Sequence, residues 1–162
     1  MRSDVDDFDW WYRSAYGRVA RTVFLILHDR DRSEDIAQDA FFQLLRHWDR
    51  ISGYEQPDAW VRRVAIRMAV RLVKRERGRV PRERLAQPAT VVGEPHPEVM
   101  VAIRSLAPMQ RAAVVLYYWD DQPVLEIART LAVSESTVKQ HLFRARSRLA
   151  ELLGEEVTED VR

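Results

Sequence analysis

Residues 133–153, VSESTVKQHLFRARSRLAELL, admit little besides a helix with one buried side and one outward side. Val138, Leu142, Ala145 and Leu149 stand at i, i+4, i+7 and i+11, which aligns them on a core-facing stripe. Opposite the stripe lie Gln140, Phe143, Arg144 and Ser147, flanked by Lys139 and Arg146. Glutamine and arginine suit base edges in a DNA groove, and arginine and lysine suit phosphates. Ser134 is placed as N-cap, with Ser136 and Thr137 in the first turn. Just upstream, PVLEIARTLAV sets Ile127, Ala128 and Leu131 at packing spacing, and Ala132 and Val133 form a short turn. Two such helices make a helix-turn-helix. The competing reading, an amphipathic helix with merely solvated arginines, gives an outward Phe143 beside Gln140 and Arg144 nothing to do.

Charge distribution says more than charge itself. The net charge of the 162 residues is only +1, but it is unevenly placed. Residues 1–58 are net acidic, 59–84 strongly basic, 85–128 acidic, 129–149 basic and 150–162 acidic. Two separated basic blocks point to a polyanion held at two places. Cysteine is absent, which excludes disulfides, thiolate metal sites and thiol switches. No apolar run approaches membrane-spanning length, and MRSDVDDFDW lacks the pattern of a secretion signal. A cytoplasmic location is expected.

Helical periodicity recurs along the chain and strand alternation does not, so the fold class expected is all-α. Residues 5–27 read as one or two helices, with Trp11, Tyr12, Tyr16, Val19, Ala20, Val23 and Leu27 at three- and four-residue steps. HDRDRS is a polar break, and Ser33 is expected to cap a helix reaching Trp48. Residues 49–57 read as a loop punctuated by Gly53 and Pro57, and a helix spans 58–77. Residues 79–97 hold Pro81, Pro88, Gly93, Pro95 and Pro97, which marks a flexible linker between two small helical domains. Helices over 99–119, 123–131 and 134–153 complete the second domain, closed by Gly154 and an acidic tail. The N-terminal aromatics are expected to supply much of the core area.

Two further helices carry surface chemistry. In SEDIAQDAFFQLLRHW, Ala37, Ala40, Phe41, Leu44 and Trp48 share the inward side. Asp35, Gln38, Asp39 and Arg46 share the other, with Phe42 among them: an apolar centre in a polar rim, as at protein-docking faces. Alternatively, Phe42 packs under the N-terminal helix. In the next helix Trp60, Val64, Met68 and Leu72 form the expected inward line, and Arg62, Arg63, Arg67, Arg71, Lys74, Arg75 and Arg77 supply charge. With Tyr54 and Gln56 in the preceding loop, this joins an electrostatic track to stacking surfaces, the combination that holds single-stranded nucleic acid. Trp60 is left open between stacking platform and core.

These pieces in this order resemble an extracytoplasmic-function (ECF) sigma factor of bacterial RNA polymerase. The resemblance covers about residues 8–153 and rests on D-x-x-Q-D-x-F (Asp35, Gln38, Asp39, Phe41), PDAWVRRVAIRMAVRLVKRERGR, the Pro-rich linker, and LAPMQRAAVVLYYWDD with EIARTLAVSESTVKQHLFRARSRL. It is nearest the short actinobacterial type opening FDWWYRSAYGRVAR. Many relatives carry Asn at the position of Arg67 and Gly at that of Ala132. The resemblance implies sigma region 2 over 1–78, a linker over 79–97, region 4 over 98–154 and an acidic tail over 155–162. Region 2 would dock on the coiled coil of the largest subunit of core RNA polymerase through Asp35, Gln38, Asp39 and Phe42. It would also melt the minus-10 element, using Ser52, Gly53, Tyr54, Gln56, Trp60, Arg63 and Arg67. Region 4 would read the minus-35 duplex with Lys139, Gln140, Phe143 and Arg144, while Thr137 and Arg146 hold phosphates. Partners implied are core polymerase and promoter DNA both duplex and melted, with regulation by a separate anti-sigma factor or by expression; the free chain is expected to be a monomer.

Two other classes compete. A stand-alone helix-turn-helix regulator, never a polymerase subunit, explains residues 133–153 but leaves the Phe42 face and second basic block without work. An all-helical enzyme fits worse. His28, His47, His96 and His141 have no metal-ligand spacing, no Gly-rich phosphate loop occurs, and Asp35 with Asp39 lacks a Glu-x-x-His partner. No catalytic residue, metal site or cofactor is expected. Association with core polymerase in the absence of DNA separates a sigma factor from a plain regulator.

Overall fold

The computed structural model describes residues 4–53, 56–77 and 96–154, and these carry eight α-helices and no strand. The expected linker (apart from His96 and Pro97), the acidic tail and Tyr54 lie outside the described residues. The helices are α1 (Asp4–Leu27), α2 (Arg30–Arg46), α3 (Trp48–Ile51), α4 (Pro57–Arg77), α5 (Pro97–Arg104), α6 (Pro108–Tyr118), α7 (Val124–Leu131) and α8 (Glu135–Leu153). The chain divides into two compact units, Met1–Leu72 and Val73–Arg162. That division falls inside α4, ahead of the boundary at residue 78 expected from sequence. Among the described residues no helix is long and apolar enough to cross a membrane.

In the first unit α1 is one unbroken helix, and only His28 and Asp29 separate it from α2, so the two fold back on each other. The cap is Asp29 rather than Ser33: the Asp29 carboxylate accepts from the Arg32 N–H at 3.1 Å. Ser33 lies within the helix, buried, its hydroxyl donating to the Asp29 carbonyl. The apolar rhythm starts only at Ile36, so periodicity alone set the cap a turn late. At the other end α2 stops at Arg46, and Trp48 opens the single turn α3. The expected 49–57 loop therefore gives up residues 49–51 to α3, and Pro57 starts α4 instead of ending the loop, in keeping with proline's tolerance at the first helical turn.

Val19, Val23, Leu25 and Ile26 of α1 meet Ile36, Ala37, Ala40, Phe41 and Leu44 of α2 in the core. Phe41 is the anchor. Tyr12 meets it edge-on at 5.2 Å, Tyr16 at 5.8 Å, and Phe8 continues the series onto Trp48 at 5.6 Å. Truncating a ring so enclosed typically costs about 3–5 kcal/mol. The buried line of α4 is Ala59, Val61, Ala65, Ile66, Ala69 and Val70, not the expected Trp60, Val64, Met68 and Leu72, which are half-buried. Counting large apolar residues misplaced the stripe; alanines permit the closest helix approach and so occupy the centre.

In the second unit the expected 99–119 helix is two helices. Pro108 holds Ala107 in an extended conformation (φ −57°, ψ 145°), which ends the run, and a proline at N1 begins α6. Arg111 is buried and donates to the Arg104 carbonyl and, at 3.2 Å, to the Leu106 carbonyl, satisfying backbone groups left at the end of α5. Burial, with Arg104 nearby, lowers its pKa to about 10, so it stays charged at neutral pH. The core of this unit includes Ile103, Val115, Leu116, Ile127, Val138 and Leu142, drawn from α5, α6, α7 and α8.

Candidate docking and nucleic-acid interfaces

The α7–α8 corner depends on a backbone conformation that L-residues avoid. Ala132 takes φ 56°, ψ 47°, and the Val133 N–H donates back to the Ala128 carbonyl at 3.0 Å. This left-handed cap turns the chain sharply into α8. Ser134 then caps α8: its hydroxyl oxygen accepts from the Thr137 N–H at 3.1 Å and lies 2.8 Å from Thr137 Oγ1 and 3.0 Å from Ser136 Oγ.

With that start, Val138, Leu142 and Ala145 are buried and Leu149 half-buried, so the core stripe falls where its spacing puts it. Lys139, Gln140, Phe143, Arg144 and Ser147 are exposed on the far side, and the first four of these line one shallow, open concavity. Phe143 is 68% exposed, so its ring is open to a partner at the centre of this face. Arg146 and Thr137 are half-buried at the edges of this face. Thr137 is tied into the cap, and Arg146 into a contact with α6: its Nε donates to Tyr118 Oη at 2.6 Å. Beside this face, burial lowers the pKa of His141, and Arg144 and Lys74 lower it further.

In the first unit, Asp35, Gln38, Asp39 and Phe42 come together on the outer face of α2 and all are exposed. Phe42 is 59% exposed, so it does not pack under α1. Its surroundings are acidic. Tyr16, half-buried behind this face, has its pKa raised first by burial, and Glu34 and Asp35 add to the effect. Sequence reasoning missed Leu45, 47% exposed one turn beyond Phe42; its i+3 spacing was the available signal.

Of the residues expected at melted DNA, Ser52, Gly53 and Gln56 are exposed on the short α3–α4 connection. Trp60 is half-buried, its ring 6.5 Å from that of His47. Along α4, Trp60, Arg63, Arg67 and Arg71 recur at three- and four-residue steps on the side away from the Ala65–Ala69 line. Trp60 thus stands at the head of the arginine stripe rather than at the core centre. Among the described residues no group of histidine and carboxylate side chains could hold a metal ion.

Known proteins match both units. The sigma-70 region 2 family matches residues 11–79, and the sigma-70 region 4 family residues 96–149. The RNA polymerase sigma-E factor of Streptomyces coelicolor is 31% identical over 155 residues, covering 93% of this chain and 88% of that protein. The ECF RNA polymerase sigma factor SigM of Mycobacterium tuberculosis is 29% identical over 156 residues, covering 91% of this chain and 77% of that protein. Among solved structures, the sigma factor RpoE of Bartonella quintana, crystallised with the anti-sigma factor NepR, has a TM-score of 0.71 at 21% identity, over 91% of this chain and 97% of that one. That structural likeness is one of fold.

Proposed function

Because the chain belongs to the sigma-70 family, among the extracytoplasmic-function RNA polymerase sigma factors, we propose that its two units divide promoter-specific initiation between them. The α2 face of Asp35, Gln38, Asp39 and Phe42 docks on the coiled coil of the largest subunit of core polymerase. Burying a central phenyl ring inside an acidic rim matches a partner that offers an apolar pocket among basic side chains. The connection and stripe formed by Ser52, Gly53, Tyr54, Gln56, Trp60, Arg63 and Arg67 hold the melted minus-10 strand, rings stacking on bases and guanidiniums tracking phosphates. The exposed face of α8 enters the major groove of the minus-35 element, where Gln140 and Arg144 read base edges, Phe143 makes apolar contact, and Lys139, Thr137 and Arg146 set register on phosphates.

In this division residues 1–78 serve as region 2, 79–97 as linker and 98–154 as region 4, followed by the acidic tail. Bond-making belongs to the polymerase; this chain positions DNA and enzyme. The work is done in the cytoplasm beside the polymerase, and a separate anti-sigma protein is a fitting regulator, as for the Bartonella factor crystallised with NepR. A stand-alone regulator has no use for a region 2.

The observation carrying the proposal is that one chain exposes two phenylalanines with opposite surroundings, Phe42 among acids and Phe143 among bases and an amide. In-vitro transcription of a genomic library with core enzyme tests it and reports the promoter. Transcripts starting at defined sites only when the chain is added are expected. Their absence, with no DNA-independent binding to core, would reject the proposal.

A further inference from the structure

The link between Arg146 and Tyr118 joins α8 to the end of α6 at the edge of the recognition face. Arg146 Nε donates to Tyr118 Oη at 2.6 Å, and the guanidinium carbon lies 5.6 Å from the ring centroids of both Tyr117 and Tyr118. Those rings meet edge to face at 4.9 Å, which holds the Tyr118 ring in place. A phenol oxygen has one proton to give, and one that accepts from a guanidinium must aim it elsewhere. No described residue accepts it, and Tyr118 is 51% exposed. Arg146, meanwhile, has its Nη2 sealed from solvent with no hydrogen-bond partner among the described residues. The guanidinium faces its tyrosines more than the solvent; the phenol faces outward.

We propose that Tyr118 is a phosphate-binding residue of the duplex interface: its hydroxyl, oriented by Arg146, donates to a DNA backbone phosphate beside the recognition helix. This rests on reading α8 as the duplex-binding helix. Lys139 and Arg146 are seven residues apart on one flank of α8, so Lys139 and the Tyr118 hydroxyl border the same edge of the recognition face. A phosphodiester is the ligand class because it offers an anionic acceptor to a neutral donor whose oxygen already leans on a cation. Arg146 becomes the positioning residue for that contact, acting largely through Tyr118, and the contact positions the protein without reading sequence.

The test uses the full chain reconstituted with core polymerase on a promoter duplex recovered by in-vitro transcription. A series of duplexes replaces one phosphate at a time in the minus-35 region with an uncharged methylphosphonate. Tyr118→Phe keeps the ring and removes only the hydroxyl. Expected is a uniform loss of affinity on the order of tenfold across base variants, since a hydrogen bond to a charged group is lost. The dependence of affinity on salt should keep its slope, because no charge is removed. One methylphosphonate position that weakens the wild type should cost Tyr118→Phe nothing further. Penalties that add at every phosphate, or wild-type affinity in Tyr118→Phe, overturn the proposal. Arg144→Ala in the same assay reports on α8 independently: if its base preference matches wild type, the reading of α8 has failed and the proposal falls with it.

Discussion

Two helices of this chain put a phenylalanine where most proteins would not, and the difference between them lies in the rim. Phe42 on α2 stands among Asp35, Gln38 and Asp39, with the basic Arg46 on the same side; Phe143 on α8 stands among Lys139, Gln140 and Arg144. The apolar centres are alike in kind and exposure, 59% and 68%. What differs is the sign of charge around them, and that sign selects the class of partner. An acidic rim repels DNA and attracts a basic protein surface; a basic rim does the reverse. One small chain can therefore hold two partners at once without each site competing for the other's ligand.

The sharpest way to break this comparison is to remove the two rings separately. Phe42→Ala should weaken association with core polymerase by about 2 kcal/mol or more, roughly 30-fold, because a central anchor is lost. It should leave minus-35 duplex preference unchanged. Phe143→Ala should do the opposite, and both are read by titrating labelled chain against core enzyme and against duplex. If either ring affects both partners equally, the separation of the faces is wrong.

A second pair of substitutions divides the basic face itself. Arg144 is on the far side of α8 from Val138, Leu142 and Ala145, so Arg144→Ala should cost about 1–3 kcal/mol at one base pair and relax preference there only. Arg146 sits at the edge, on Tyr118, so Arg146→Ala should weaken every sequence alike and, because it acts largely through the neutral Tyr118 hydroxyl, change the salt slope little. Affinities for single-base variants of the minus-35 element at several salt concentrations decide. An exchange of the two phenotypes would mean that α8 enters the groove in a different rotation.

Both units hold non-glycine residues in the left-handed region, His28 in the first and Asp121 and Ala132 in the second, and one alanine–glycine swap in each unit probes its backbone. Ala132 occupies a left-handed cap that glycine adopts freely, so Ala132→Gly should stabilise the second unit by about 1 kcal/mol. Gly17 lies inside α1, and a Cβ there meets nothing within 4 Å, so Gly17→Ala should stabilise the first unit by about 0.5–1 kcal/mol. Calorimetric melting of each variant gives both values. A destabilising Ala132→Gly would show that the corner is held by something other than its dihedral angles.

The outward faces were readable because each is written locally. A stripe such as Val138–Leu142–Ala145 fixes its own opposite side, and Phe42 among carboxylates declares itself within a single turn. What failed to show was set by contacts or by stereochemistry that periodicity does not weigh. The α4 core line runs through Ala59, Ala65 and Ala69 because alanine allows close approach, whereas Trp60 and Met68 draw the eye by size. Ser33 is a plausible cap until Asp29, four residues earlier, is seen to accept the first-turn N–H. Pro108 breaks a run that looked continuous from 99 to 119. Tyr118 had no local signal at all: its meaning depends on Arg146, 28 residues further along.

The smallest expected effect tests whether the opposite rims leave an imprint on stability. His141 on α8 has a lowered pKa, caused first by burial and then by Arg144 and Lys74, and its Nδ1 is buried with no hydrogen-bond partner among the described residues. A histidine whose folded pKa lies below its ordinary value of about 6.5 favours the neutral form in the native state. The unfolded chain then binds the proton first as pH falls. The stability tied to His141 is thus fully present above about 6.5 and declines as pH drops through that value towards the lower folded pKa. Between pH 7.5 and 5.5 the second unit should lose melting temperature, and His141→Gln should flatten that dependence. Arg144→Ala should flatten it partly, since it removes one nearby charge and leaves the burial and Lys74. Tyr16, raised by burial and by the acids of α2, titrates far above this window, so the first unit should show no matching response from it. If His141→Gln keeps the full pH dependence, the proton is taken up elsewhere and the basic rim has no measurable hold on the fold.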